Sequence, residues 1–323
     1  MHILHIHNTV IPVKEYGGIE RIVWWLGKEQ VKMGHKVTYL VPEGSYSPFA
    51  QCLPYDPAYP VYEQIPQSVD FVHGHFQWEG QVNKPHLISC HTNFHPKQQY
   101  HINTVFSSRD HAARNQSDVF VYNGVDIEEY GPVEIFNQRK HLLFMAYAKR
   151  PEKNLKGCKY IAKKTKNKLA VIGLKNKWFR RFSRRIQCKG FLGGEKRDQV
   201  IRDSSALLFP VLWHEPFGIA MIECLYFGCP VFGTTYGSLP EIITSQVGFL
   251  SNSRKELIQA VKDVGRFDRR NCHEYVCDQF TSKIMTQNYL KLYDKVLNGE
   301  NLNQHPPVNG GNFNPKELLP FEK

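Results

Sequence analysis

The sequence lacks a hydrophobic run long enough to cross a membrane. No apolar stretch in its 323 residues approaches the roughly 18 residues that a spanning helix needs. It also lacks an N-terminal basic region followed by an apolar stretch, so we expect no secretory signal. With 41% hydrophobic and 22% charged residues, the composition is typical of a soluble globular protein, and the length allows two ordinary domains.

The eight cysteines lack the paired spacing of a disulfide framework or a zinc site. Several lie in or beside apolar runs, as buried reduced thiols do, which predicts a cytoplasmic protein. These are Cys90, Cys188, Cys224 and Cys229. Two histidine pairs, His5/His7 and His73/His75, alternate as they would along a strand. Because no cysteine or carboxylate cluster completes a tetrahedral set, we predict no metal site.

Positive charge is concentrated in one segment. Residues 149–197 hold 18 Lys and Arg against two acids, a net charge of +16, whereas the whole chain carries +11 and the rest therefore −5. Binding a diphosphate would use only a few of these charges. A solvated face is the default explanation for the excess. The alternatives are an anionic lipid surface, which would place the protein peripherally at the inner membrane surface, and nucleic acid.

Hydrophobic periodicity predicts an alternation of strands and helices. A first strand, a helix opened by Gly17 and Gly18, and a second strand at residues 35–41 form a β-α-β unit. Its Gly-Gly pair lies at the carboxyl end of a strand, where α/β sheets bind ligands. A G-x-G-x-x-G fingerprint is absent, so a dinucleotide-binding fold is not supported. Residues 42–68, rich in Pro and Tyr, are predicted to form a loop.

The most informative stretch runs from residue 209 to residue 230. A strand is predicted to end at Phe209, and a helix to span residues 218–227 and end at Gly228. Glu215 therefore lies in the intervening loop. Glu223 lies inside the helix among apolar residues, where an unpaired charge would be costly.

Between the two carboxylates lies the predicted helix N-terminus. Backbone N–H groups at the start of a helix attract phosphate, so we expect those of Phe217, Gly218 and Ile219 to bind it. A sugar diphosphonucleoside has matching parts, namely sugar hydroxyls, a diphosphate and a ribose diol. The stretch thus predicts a site for such a donor.

The same string resembles the E-x7-E segment of retaining nucleotide-sugar glycosyltransferases of family four, which have the GT-B fold. The resemblance covers about residues 1–297 and is strongest over residues 203–243. It implies an α/β protein with two Rossmann-like domains whose parallel sheets face each other across a cleft. We expect a short acceptor-binding domain at residues 1–135, a nucleotide-sugar-binding domain at 136–297 and a loose Asn/Pro/Gly-rich tail at 298–323.

The resemblance also implies roles for charged residues. Lys153 matches the family lysine that meets the leaving diphosphate. The family arginine is missing at its strict position, which is Ala148, so Lys149 or Arg150 is expected to replace it. Glu215 would orient the donor sugar, and Glu223 would hold the ribose diol.

Other positions match the family pattern at the remaining parts of the donor. Gly17 and Gly18 match the glycine-rich loop that approaches the donor phosphates and the acceptor. His91, at a strand end, matches the histidine that contacts the donor sugar. Phe191 and Leu192 lie in the stretch whose backbone edges the base.

The predicted activity is retaining transfer of a hexose-type sugar from a UDP- or GDP-sugar to an acceptor hydroxyl. The acceptor would be a glycan, a lipid-linked compound or a small molecule. No metal or other cofactor is expected, since side-chain cations and helix N–H groups would neutralise the diphosphate. Two alternatives remain open: a non-catalytic GT-B protein that binds nucleotide sugars, and a nucleic-acid-binding protein that uses residues 149–197.

Overall fold

The computed structural model describes residues 1–13, 15, 17–93, 99–175, 185–310 and 317–322. The chain divides into two compact units. Unit 1 contains the described residues of Met1–Val13, Gly17–Asp126 and Ser282–Pro315, and unit 2 those of Lys14–Tyr16, Ile127–Thr281 and Lys316–Lys323. In the described ranges, no helix combines the length and the apolar character needed to cross a membrane.

The strands all belong to two parallel sheets. In unit 1 they are β1 His2–Ile6, β2 Lys36–Val41, β3 Gln51–Pro54, β4 Phe71–Gly74, β5 His86–Cys90 and β6 Thr104–Phe106. In unit 2 they are β7 His141–Met145, β8 Leu169–Ile172, β9 Ile186–Gly190, β10 Ser204–Phe209, β11 Val231–Gly233 and β12 Gly248–Leu250. The orders are β3-β2-β1-β4-β5-β6 and β12-β11-β10-β7-β8-β9.

In unit 2 a helix follows each of β7, β9, β10, β11 and β12, whereas in unit 1 the described residues between β2 and β6 contain no α-helix. The helices are α1 Gly18–Lys32, α2 Arg109–Arg114, α3 Leu155–Lys164, α4 Gly194–Arg202, α5 Ile219–Tyr226, α6 Leu239–Ile242, α7 Arg254–Lys262, α8 Arg269–Gln279 and α9 Ser282–Leu297. Short 3-10 turns lie at Val61–Gln64, Ile127–Glu129, Pro151–Lys153 and Val264–Arg266. The two sheets with their helices confirm the predicted α/β class.

The central strands β1 and β7 are buried along their whole length. All five residues of β1 and all five of β7 are buried. Parallel sheets have this property because crossover helices cover both faces. The core of unit 2 includes Leu142, Phe144 and Val171 from its sheet and Ile161 from α3. The carboxyl ends of the strands are thereby held at fixed positions, where loops can carry functional side chains.

The region 42–68, predicted to be a loop, contains an additional strand. β3 pairs with β2 in parallel, from Thr38 opposite Gln51 to Val41 opposite Pro54. As an edge strand it is only partly buried, so its sequence carries a weak hydrophobic signal. A proline is tolerated there because an edge strand leaves one row of N–H groups unpaired.

The predicted domain boundary at residue 297 and the predicted loose tail need correction. Helix α9 belongs to unit 1, where the ring of Tyr293 stacks on Phe71 at 4.2 Å between centroids. The described part of the tail is not loose either, because it forms backbone hydrogen bonds with both units. The carbonyl of Pro307 accepts from the N–H of Tyr100 at 2.9 Å in unit 1, and the carbonyl of Glu322 accepts from the N–H of Arg254 at 3.1 Å in unit 2.

The cysteines agree with the prediction of unpaired thiols. All eight are free, and five of them are buried, including Cys90, Cys224 and Cys229. Cys188 is only partly buried, because it lies on β9, the edge strand of its sheet.

Candidate active site

The candidate site of unit 2 begins at the carboxyl ends of β7 and β10. The segment after β7 carries Lys153 at the end of a 3-10 turn, and Asn154 then adopts a left-handed conformation and caps α3 through the N–H of Gly157. The side-chain amide of Asn154 also donates to the carbonyl of Pro210 at 2.8 Å. This bond joins the loop after β7 to the loop after β10.

Glu215 and Lys153 form a close ion pair. Nζ of Lys153 lies 2.6 Å from Oε2 of Glu215, and the two side chains are only 10% and 8% exposed. The same carboxylate oxygen accepts from Nε1 of Trp213 at 2.8 Å. Glu215 is therefore not a solvated loop residue. Its carboxylate is oriented by two donors.

The indole of Trp213 organises two cations. Nζ of Lys153 lies 4.5 Å from its ring centroid, and the guanidinium of Arg150 lies 5.0 Å from it. Both Lys149 and Arg150 are exposed, but Arg150 is also paired with Glu152. Of the two cations expected to replace the family arginine, Arg150 is the one held beside Lys153.

The N-terminus of α5 has the geometry expected of an anion-binding turn. Its N-cap is Gly218 at φ +84°, and in the described structure no side chain caps this end. A Cβ on Gly218 would lie 2.8 Å from Cε of Met221 and 3.3 Å from Cγ of Glu215. Only glycine therefore allows this backbone turn, and Ile219 is the first helical residue.

The loop from Glu215 to Phe217 is fixed by the segment before α6. The N–H of Ser238 donates to the carbonyl of Glu215 at 2.9 Å, and its hydroxyl donates to the carbonyl of Phe217 at 2.8 Å. Gly237 lies so close that a Cβ would be 2.3 Å from the nitrogen of Glu215. The loop is thus preorganised by backbone contacts that tolerate no side chain at Gly237.

Glu223 lies inside α5 and is 2% exposed. Its Oε1 accepts from the hydroxyl of Tyr130 at 2.9 Å and lies 3.0 Å from Nη1 of Arg197. Arg197 also donates to Oδ1 of Asp198 at 2.7 Å. An unpaired charge would be costly at this position of α5, and the carboxylate of Glu223 is indeed paired.

The charges around Glu223 influence one another. Burial alone would lower the pKa of Arg197, but Glu223, Tyr130 and Asp198 outweigh it and leave that pKa raised. Burial raises the pKa of Asp198, against the opposing effect of Arg197. Arg197 therefore stays charged and holds the carboxylate of Glu223 in place.

The predicted base-edging residues follow the edge strand β9. Phe191 and Leu192 are partly buried, and the rings of Phe191 and Tyr147 lie 6.0 Å apart. Tyr147 follows β7, so these aromatic groups share the carboxyl edge of the sheet with Lys153. Residues 176–184 of the basic segment lie outside the described residues.

Unit 1 holds the other predicted residues. Gly17 is the N-cap of α1, and a Cβ there would lie 2.7 Å from Oε2 of Glu20. Because the carboxylate of Glu20 already stands in the first turn of α1, this helix start suits a hydroxyl better than a phosphate. Gly18 is the first residue of the helix.

His91 follows β5 and is partly buried. Its Nε2 lies 3.0 Å from Nδ1 of His75. Burial, with a smaller effect of His7, lowers the pKa of His91 to about 3. The ring is therefore neutral at physiological pH, and its Nε2 is hydrogen-bonded to His75.

Three contributors to the site were missed by the sequence reasoning. Trp213 was part of the central stretch but had no role there, Arg197 was counted only as one charge of the basic segment, and Tyr130 was not considered. A tryptophan two residues before Glu215 was a usable signal. No local pattern links Arg197 or Tyr130 to Glu223, because these contacts arise from packing of α4 and the 127–131 turn region against α5.

The comparisons with known proteins agree with this architecture. Residues 126–274 match the family model described as Glycosyl transferases group 1. A stretch of 116 residues is 28% identical to N-acetyl-alpha-D-glucosaminyl L-malate synthase of Bacillus anthracis, and it spans 33% of this chain and 30% of that protein.

Solved structures are similar over nearly the whole chain. One is a glycosyltransferase involved in avilamycin A biosynthesis, with a TM-score of 0.77 and 21% identity over 92% of this chain and 98% of that one. Another is HepE of Anabaena in complex with UDP and glucose, with a TM-score of 0.64 and 14% identity over 91% and 100%. The solved structures show the GT-B fold, and together with the family model that matches residues 126–274 they support a glycosyltransferase enzyme.

Proposed function

We propose that the protein is a retaining glycosyltransferase that moves a hexose-type sugar from a UDP- or GDP-sugar to an acceptor hydroxyl. The observation that carries the proposal is the group around Trp213. There Lys153, Arg150 and Glu215 meet beside the N-terminus of α5. In this group the fixed cations and the helix start can bind a diphosphate. The oriented carboxylate of Glu215 can accept hydrogen bonds from sugar hydroxyls.

The proposed roles follow from these positions. Lys153 and Arg150 neutralise the charge that develops on the leaving diphosphate, together with the N–H groups of Phe217, Gly218 and Ile219. Removing one such fixed group typically costs about 3 kcal/mol of barrier stabilisation. Glu215 accepts hydrogen bonds from sugar hydroxyls.

The remaining donor contacts lie at both ends of the nucleotide sugar. Glu223, held by Arg197 and Tyr130, accepts from the ribose diol. Phe191 and Leu192 edge the base. In unit 1, Gly17, Gly18 and His91 would contribute contacts to the sugar and the acceptor.

The proposed chemistry needs no protein nucleophile. The bond between the anomeric carbon and the phosphate oxygen breaks, the acceptor oxygen bonds to the same face of that carbon, and its proton passes to the departing phosphate oxygen. Glu215 already accepts from Lys153 and Trp213, which suits orientation of hydroxyls better than attack on carbon. With cations fixed in this way, the reaction would need no metal ion.

The comparisons support the donor class. The similar Anabaena structure contains UDP and glucose. The Bacillus anthracis relative is named for an N-acetyl-alpha-D-glucosaminyl group and L-malate, which supports a hexose-type sugar and a small acceptor, although glycan and lipid-linked acceptors fit the proposal equally.

The decisive experiment uses the purified full chain. Thermal shift against a panel of nucleotide sugars selects the donor, and NMR of the product reports the anomer after transfer to a panel of acceptors. We expect retention, full activity after EDTA treatment, and strong loss in Glu215→Ala but not in Glu274→Gln, an exposed carboxylate of α8. Donor binding without transfer or hydrolysis would instead support the non-catalytic alternative, and an inverted product would contradict the retaining mechanism.

A second proposal concerns the basic face of unit 2. Exposed lysines project from α3 and from the neighbouring α7, namely Lys156, Lys159, Lys163, Lys164, Lys255 and Lys262. A groove of about 360 Å³ between these helices is lined by Tyr160, Arg254 and Ile258 among others. We propose that this face contacts an anionic membrane surface, where each lysine contributes about 1 kcal/mol, and that the protein is otherwise cytoplasmic.

Liposome flotation tests this contact. Vesicles containing phosphatidylglycerol should carry the protein upward, and pure phosphatidylcholine vesicles should not. The triple variant K156E/K159E/K163E should lose flotation, whereas the control K283E/K291E/K295E, with the same charge change on α9, should keep it. An equal loss of flotation in both variants would refute the proposal that this face contacts the membrane. RNA binding that falls steeply with salt would favour the nucleic-acid alternative instead.

A further inference from the structure

Unit 1 contains a cluster of buried histidines that the proposed reaction does not explain. His5 on β1, His73 on β4 and His75 after β4 are 0%, 0% and 5% exposed. One nitrogen or the other of each ring lies within 4.8 Å of the others, a spacing that invites a metal site. However, both nitrogens of every one of these rings already have a hydrogen-bond partner. The rings do not offer converging lone pairs, so a hydrogen-bond network explains them better.

The direction of these bonds can be derived from the acceptor at one end. Nε2 of His5 lies 2.7 Å from Oε1 of Gln30. An amide oxygen only accepts, so Nε2 of His5 carries the proton. A neutral imidazole has one such proton, and Nδ1 of His5 must therefore accept.

The same reasoning passes along the chain of rings. Nδ1 of His5 lies 3.0 Å from Nε2 of His75, which must donate. Nδ1 of His75 then accepts from Nε2 of His91 at 3.0 Å. His91 consequently carries its proton on Nε2, and its Nδ1 presents a lone pair. No hydrogen bond to that Nδ1 comes from any residue the structure describes.

Gln30 sets this direction. It is fully buried on α1, and its Nε2 donates to the hydroxyl of Tyr293 at 3.0 Å. That hydroxyl lies 2.6 Å from Nδ1 of His73, whose Nε2 lies 2.7 Å from the hydroxyl of Ser89. Rotating the amide of Gln30 by half a turn would reverse every donor and acceptor in the series. One amide therefore determines the tautomers of three imidazoles.

We infer that Gln30, His5 and His75 are positioning residues that fix His91 as its Nε2–H tautomer, so that Nδ1 accepts a hydrogen bond from a substrate hydroxyl. We call Gln30, His5, His75 and His91 the histidine chain. Burial lowers the pKa of His5 to about 4 and that of His91 to about 3, which keeps both rings neutral. The tautomer follows from unit 1 alone, whereas the contact with a sugar hydroxyl rests on the proposed function.

NMR of the full chain labelled with ¹⁵N-histidine tests the tautomer directly. Long-range proton-nitrogen correlations at pH 7 should show the Nε2–H form for His5, His75 and His91. In Gln30→Met, which keeps the volume but removes the acceptor, the His91 signals should shift toward a mixture. Gln30→Glu should restore the wild-type pattern, because a carboxylate only accepts. An Nδ1–H form of His91, or a tautomer unaffected by Gln30→Met, would overturn the inference.

A matched control distinguishes an effect transmitted through the histidine chain from a general effect of the substitution on the fold. His2 is also buried on β1, but its ring bonds to the carbonyl of Ser68 and the hydroxyl of Thr38. His2→Gln should leave the His91 signals unchanged. If Gln30→Met fails to fold, the wild type and Gln30→Glu still test the inference, because His91 must have the Nε2–H form in both proteins.

Transfer kinetics test the functional part. Gln30→Met should lower kcat about tenfold, the effect of one misdirected hydrogen bond, with the KM for the nucleotide sugar nearly unchanged and activity restored in Gln30→Glu. An unchanged kcat would refute the positioning role. The predicted tautomer without any transfer by the wild type would leave the histidine chain intact and contradict the proposed function instead.

Discussion

The carboxylate of Glu223 gives the sharpest prediction, because its surroundings allow effects on folding and on binding to be separated. Glu223→Ala removes an acceptor for the ribose diol. Hydrogen bonds to a charged group contribute about 1.5–3 kcal/mol. The donor KM should therefore rise about 10- to 150-fold.

The same substitution also breaks a buried ion pair. Arg197 lies 3.0 Å from Glu223, and leaving one partner of such a pair costs about 3–5 kcal/mol of folding free energy. Because Arg197 keeps Asp198 at 2.7 Å, we expect a loss near the lower end of that range. Urea denaturation measures this loss, and the binding assay is then done where the variant is fully folded.

Two matched variants separate the effects. Tyr130→Phe removes a hydrogen bond to Glu223 but keeps the carboxylate, so stability should fall by about 1–2 kcal/mol while the donor KM changes little. Glu223→Gln keeps one acceptor oxygen and should give an intermediate KM. Calorimetric titration with UDP and GDP measures binding without turnover. A folded Glu223→Ala protein that binds the nucleoside diphosphate as tightly as the wild type would refute the role of Glu223.

Three further predictions concern the cations, the glycine contact and the buried histidines. Arg150→Ala should lower kcat on the order of 100-fold, whereas Lys149→Ala should change it little; the reverse order in steady-state assays would reassign the cation. Gly237→Ala should lower Tm by about 2–8 °C, since a left-handed Cβ costs about 1–2 kcal/mol. Gly265→Ala, with open space around it, should leave Tm unchanged, and equal melting curves for the two variants would contradict this prediction. His5 has a folded pKa of about 4 against 6.5 ordinarily, so the unfolded chain binds more protons between these values. His5 alone should lower the unfolding free energy by about 1.4 kcal/mol per pH unit as the pH drops through that window, in addition to the contributions of other buried histidines such as His75 and His91. A His5→Gln variant whose slope in urea titrations equals that of the wild type would exclude this contribution.

Local patterns in the sequence predicted most of the elements. The helix from residue 218 to residue 227 is observed as Ile219–Tyr226, and Gly228 has the positive φ expected after a helix end. Such features are readable because caps, glycines and hydrophobic periodicity act within a few residues. β3 escaped detection because an edge strand does not need a continuous apolar run.

The interaction partners of the predicted site residues were harder to predict from the sequence. Glu215 and Lys153 could be identified, but not that they would pair with each other around Trp213. The glycine pair at the start of α1 was identified too, but the position of Glu20 beside Gly17 follows only from the helix turn.

Local patterns were enough to predict the first β-α-β unit, the helix start between two carboxylates and the concentration of positive charge. Only the folded arrangement shows that Arg197 holds Glu223, that α9 belongs to unit 1, and that Gln30 and three histidines form one hydrogen-bonded series. The two groups of features differ in the sequence separation of the residues involved. Local conformation depends on neighbouring residues, whereas these contacts join residues far apart in sequence and exist only once the strand order and helix packing bring them together.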